Sequence, residues 1–117
     1  MAESRRAASN VQETMDKIAG LQEILNLDPN NAFARYGLAM EYVNRGEIAT
    51  GLAEFDTLLA AHPDYTAGYF MAAQTLAKDE RTAEAIEKLH AGIACARRTS
   101  NNHALSEMQV MLDELDR

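Results

Sequence analysis

Two prolines, Pro29 and Pro63, stand 34 residues apart in a chain of 117 residues that has no others. Proline closes a helix, because its ring disfavours a helical conformation in the residue before it and it has no N–H to donate. Two such stops at a repeat-sized interval raise the question of a repeated helical unit, and a repeat decides the fold, since each unit buries its apolar face only against its neighbour. Shifting the chain by this interval aligns Ile18 with Leu52 and Ile86, Leu21 with Phe55 and Leu89, and Leu25 with Leu59 and Ile93. Ala39 then falls with Ala73, and Tyr42 with Leu76.

The residues between the stops favour helices. Alanine, leucine and glutamate are abundant, and no run alternates with period two, so no strand is expected. Val11, Met15, Ile18, Leu21 and Leu25 recur at helical spacing after Asn10, with Glu13 placed as in a capping box. Residues 1–9 show no periodicity and read as a disordered leader. Asn30 or Asn31 can cap a second helix, and Gly46 is its expected left-handed stop. A third helix is expected from about Glu47 to Ala61 and a fourth from after Asp64 to Lys78. Thr82 can cap a fifth that ends near Arg98, and Thr99 to Asn102 form a loop before a sixth.

At this point the unit resembles the tetratricopeptide repeat (TPR). The first full repeat reads Leu38-Ala39-x2-Tyr42, then Gly51-x3-Phe55, then Pro63; the second reads Tyr69-x2-Ala72-Ala73-x2-Leu76, then Ala85-x3-Leu89. A preceding half repeat supplies Lys17-x3-Leu21 and Pro29. The resemblance covers roughly residues 11–96. It implies an all-α fold, a short right-handed α-solenoid of antiparallel helix pairs with about six helices. The divisions are a leader at 1–9, a leading half-repeat helix at 10–28, repeats at 29–62 and 63–98, and a C-terminal capping helix at 99–117, all in one domain. Small residues at Ala39, Ala73, Gly51 and Ala85 let paired helices approach, and Tyr42, Phe55, Leu76 and Leu89 fill the gaps. Four positions depart from the pattern. Arg35 stands where an aromatic is usual, Arg97 replaces the second closing proline, Gly92 falls in the column of Leu58, and Lys17 occupies a small-residue position. The last helix is three residues out of register. Its stripe of Leu105, Met108, Met111, Leu112 and Leu115 fits a cap, while Val110 widens the stripe enough for a dimerisation face.

The formal net charge of −7 argues against nucleic acid as a partner. A single cysteine, Cys95, fits a reducing compartment. No stretch is long and apolar enough for a membrane span, and the first residues lack a secretory signal. A soluble, cytoplasmic protein is expected. No catalytic group, cofactor site or metal site is expected either. His62, His90 and His103 are scattered, and His103 with Glu107 offers only two ligands. Asp113, Glu114 and Asp116 read as a solvated face, and Cys95 as a small buried side chain.

The resemblance also implies a concave surface lined by the first helix of each pair. Carried over by spacing, its partner-binding residues are Phe33, Tyr36, Met40 and Asn44, followed by Phe70, Gln74 and Lys78, with Val43 and Ala67 beside them. The aromatics are the expected anchors; the other reading packs them beneath the first or last helix of the same chain. The lysine and asparagine pattern by which some TPR domains grip a C-terminal carboxylate is missing, because Tyr36, Met40 and Met71 occupy its positions. The function implied is a protein–protein interaction module that binds a peptide or helix. The alternative is a self-associating scaffold joined through its terminal helices, a homo-oligomer.

Overall fold

A computed structural model describes the backbone of residues 2–117 and the side chains of residue 13 and residues 15–117. Among these residues are six α-helices and no strand: α1 (Ala2–Leu27), α2 (Ala32–Asn44), α3 (Ile48–Ala61), α4 (Thr66–Lys78), α5 (Thr82–Arg98) and α6 (Asn102–Leu115). The backbone of α1 is helical from Ala2, not from Asn10. Residues 2–9 hold alanine, glutamate and arginine and no helix breaker, so nothing in them opposes an earlier start. The leader expected at 1–9 and the cap expected of Asn10 fall where side chains lie outside the described residues.

The helix ends follow from local chemistry. Asn31 caps α2, its side-chain oxygen accepting from the Ala34 N–H at 2.9 Å, and Asn101 does the same for α6 through the Ala104 N–H at 3.1 Å. Thr82 does not cap α5. It is the first helical residue, the cap position belongs to Arg81, and no side chain bonds the free N–H groups there. Arg81 instead holds Glu84 through a two-pronged pair at 2.7 and 2.9 Å, and that hydrogen bond lowers the Glu84 carboxyl below its usual range.

Helices α2 and α4 end in the same way, at equivalent positions of the repeat. Gly46 takes a left-handed φ of 88°, and the Glu47 N–H reaches back to the Tyr42 carbonyl at 2.9 Å. One repeat later Glu80 takes φ 61°, and the Arg81 N–H reaches the Leu76 carbonyl at 2.9 Å. Glycine suits this conformation, whereas a side chain costs about 1–2 kcal/mol there. Glu80→Gly is therefore expected to stabilise the protein by about 0.5–1 kcal/mol, after allowing for the looser unfolded chain. Thermal unfolding checks this, and a lowered midpoint would contradict it.

Two compact units divide the chain, Met1–Glu54 and Phe55–Arg117. In the first, Ile18 and Leu25 of α1 meet Ala34 and Leu38 of α2, with Leu21 and Tyr42 packed against them. Gln22 Nε2 donates to the Tyr42 hydroxyl at 3.1 Å. α2 and α3 approach closely at Gly51, where a Cβ would lie 2.6 Å from Val43 Cγ2 and 3.1 Å from the Ala39 carbonyl oxygen. Two departures from the repeat pattern resolve into charge pairs. Arg35 meets Glu54 at 2.7 Å with both side chains largely covered, and Lys17 stays on the surface with its ammonium 4.0 Å from Glu41.

In the second unit α4 and α6 both pack on α5. Ala73, Leu89, Ile93, Ala96 and Met108 form its core. The departure at Gly92 has its cause here. A Cβ on Gly92 would lie 2.5 Å from Met108 Sδ and 2.7 Å from Tyr69 Cβ, so α6 seats Met108 in space that a larger residue would fill. A clasp at the edge of this unit links residues one repeat apart. Arg98 bonds Asp64 at 2.6 and 2.9 Å and the Pro63 carbonyl at 3.2 Å, while the Tyr69 hydroxyl donates to that same carbonyl at 2.8 Å. Burial raises the Tyr69 phenol above its ordinary pKa, with the Cys95 thiol and Asp64 adding to the rise and Arg98 opposing it.

Candidate partner-binding site

The seven candidate residues divide between the two units. Phe33, Tyr36, Met40 and Asn44 share one face of α2, because their spacing of three or four residues matches the helical turn. Phe33 is 77% exposed, so it is not packed beneath a helix of this chain. Asn44 is also exposed, while Tyr36 and Met40 are half-buried.

Phe70, Gln74 and Lys78 are brought together in the second unit, along one wall of an open cleft of about 630 Å³. The cleft has a simple origin. Turns of three residues join α4 to α5 and α5 to α6, so α4 and α6 each fold back along α5 and run in the same direction. They touch one another at few positions, and the space between them stays open. Ala77 completes the α4 wall. The α6 wall is made by His103, Ser106, Glu107, Val110, Met111 and Glu114.

Phe70 and Met111 are half-buried, each with part of its surface on the core of the unit, and together with Ala77 they give the cleft an apolar lining. Val110 extends that lining and is 59% exposed, an apolar side chain that a partner can cover. Gln74 is half-buried, and the other polar groups, Lys78, His103, Ser106, Glu107 and Glu114, are exposed. His103 Nε2 lies 2.6 Å from Glu107 Oε1, so the pair that offered two metal ligands is closed on itself. Among the described residues Lys78 and Glu114 have no ion-pair partner, although both sit near the C-terminal ends of their parallel helices.

The α6 wall is the part that the sequence reading missed. The sequence assigns the last helix a capping stripe, which Val110 widens toward a dimerisation face, and places none of its residues in a partner groove. The signal was present in Val110, which broadens that stripe, and in residues seven apart, His103 with Val110 and Glu107 with Glu114, which share a face.

No group of three or more histidine, cysteine, aspartate or glutamate side chains could hold a metal among the described residues, and no helix there is long and apolar enough to cross a membrane. Cys95 is buried, with its sulfur 3.3 Å from the Thr66 hydroxyl.

No family model matches the chain. A TPR repeat-containing protein of Pseudomonas aeruginosa is 28% identical over 100 residues, which is 86% of this chain and 95% of that protein. A tetratricopeptide repeat domain protein from Salinibacter ruber, solved by NMR, is 32% identical with a TM-score of 0.71, covering 75% of this chain and 89% of its own. The TPR2B domain of yeast Sti1, solved as a complex with pHsp70, has a TM-score of 0.78 at 15% identity, over 98% of this chain and 94% of that one. The last of these speaks for the fold alone. The Salinibacter domain matches in both sequence and fold over most of its length, and with the repeat columns in place the chain belongs to the tetratricopeptide-repeat family.

Proposed function

We propose that the chain is a protein-interaction module that takes a peptide or a single helix of a partner protein in the cleft between α4 and α6. The observation that carries this is an open, apolar-lined cleft whose rim includes the uncovered Val110. Covering such a side chain and the open face of Phe70 supplies the apolar surface on which short recognition segments depend. The Sti1 domain, solved with pHsp70, is a protein of similar fold held in a complex. The face of α2 that carries Phe33, Tyr36, Met40 and Asn44 is a second candidate contact surface in the same reading. We place the module in the cytoplasm, where a lone thiol such as Cys95 stays reduced.

Substitution at the cleft tests the proposal. Val110→Asp puts a charge on an exposed site, so it is expected to leave the helical circular dichroism intact and to weaken partner capture about tenfold or more. Phe70→Ala is expected to weaken capture as well, with some loss of stability because Phe70 also packs on the core. Undiminished capture by a folded Val110→Asp protein would remove the cleft from the account.

Self-association through α1 has less support. Met15, Ile24 and Leu27 are exposed, Leu27 at 90%, yet their spacing spreads them around the helix and gives no single apolar stripe.

A further inference from the structure

We infer that the segment held between α4 and α6 is an amphipathic helix whose polar flank is basic; this rests on the cleft being the partner site. Three pairs of cleft residues lie seven apart in sequence: Phe70 with Ala77, His103 with Val110, and Glu107 with Glu114. Seven residues are two helical turns, so both walls repeat every ~10 Å along the same direction. A third helix laid along the cleft repeats at that interval too, and its apolar residues would meet the lining at successive turns.

Charge sets the flank. Glu107 and Glu114 stand two turns apart on the α6 wall, Glu107 paired only with the exposed His103 and Glu114 without an ion-pair partner among the described residues. Among the described residues Lys78 is the single lysine or arginine lining the cleft. Lysine or arginine at two positions seven apart on the incoming helix would face both carboxylates. A second copy of this chain is a poorer occupant, because a net charge of −7 repels its own kind.

The test uses two labelled helical peptides of about three heptads. Both carry leucine at the seam positions. One has lysine at two flanking positions seven apart, and its twin has glutamate there. Fluorescence anisotropy at roughly physiological salt is expected to show the lysine peptide binding about tenfold more tightly than the twin. Glu107→Gln combined with Glu114→Gln should abolish that preference. Glu23→Gln combined with Glu87→Gln makes the same change in net charge away from the cleft and should preserve it.

If both peptides bind equally and Val110→Asp abolishes both, the cleft stands as a partner site and the basic flank is wrong. If the control pair removes the preference as fully as the cleft pair, the attraction is general and the inference falls. Failure of both peptides to bind also overturns it, and host-partner capture by the Val110→Asp protein then judges the cleft separately. A dimer that Val110→Asp dissolves would assign the cleft to a second copy and overturn the inference.

Discussion

Gly92→Leu restores the large residue found one repeat earlier at Leu58, and it is expected to destabilise the protein by about 3 kcal/mol. Its Cβ alone would meet Met108 Sδ at 2.5 Å and Tyr69 Cβ at 2.7 Å. The second contact is the more serious, because a Cβ is fixed to its backbone and cannot swing aside. Gly92→Ala separates two effects. Alanine in mid-helix is worth about 1 kcal/mol over glycine, so a net loss for this variant means that crowding exceeds propensity. Combining Gly92→Ala with Met108→Ala should cost less than the two changes taken separately, since the second vacates space for the first. Urea unfolding followed by circular dichroism measures all four proteins, Met108→Ala alone included. A stabilised Gly92→Ala protein would show that the helices are not in close contact at this point.

Truncation after Ser100 is expected to have a larger effect still. It removes Met108, which is fully buried, and the partly buried Leu105, Met111, Leu112 and Leu115. It also uncovers Ala73, Leu89, Ile93 and Ala96. Full burial of one large apolar side chain contributes about 1.5–3 kcal/mol, and a small domain has only about 5–15 kcal/mol in all. The shortened protein is expected to lose its sharp thermal transition and much of its helical signal. Met108→Ala is the milder version, at about 2–5 kcal/mol. An unchanged midpoint after truncation would mean that α6 contributes no stability to α4 and α5.

The repeat was legible in the sequence because its stops are chemically distinctive. Pro29, Pro63, Gly46 and the asparagines at 31 and 101 announce helix ends by what their side chains and backbones can do. Glu80 makes the same left-handed stop as Gly46 and gives no such sign, since glutamate is an ordinary residue whose side chain disfavours that conformation. Thr82 misled in the opposite way, as a good capping residue that lies one position inside its helix. Gly92 and Arg35 stood out as departures, but their meaning needed partners distant in sequence: Met108 and Tyr69 for one, Glu54 for the other. Half of the cleft was hidden for a related reason. The α4 wall followed from spacing within the repeat, whereas α6 lies three residues out of register, and column matching does not reach its residues.

The most direct measurement of the central claim is photo-crosslinking in the host from a reactive side chain placed at Val110, compared with the same side chain at Ala91. Both positions are exposed, but Ala91 is on α5 and does not line the cleft. The expected result is a product from Val110 that joins the chain to one segment of a partner protein and is absent from Ala91. The same products from both positions, or none from Val110 while the partner is still captured, would contradict the cleft as the place where this module holds its partner.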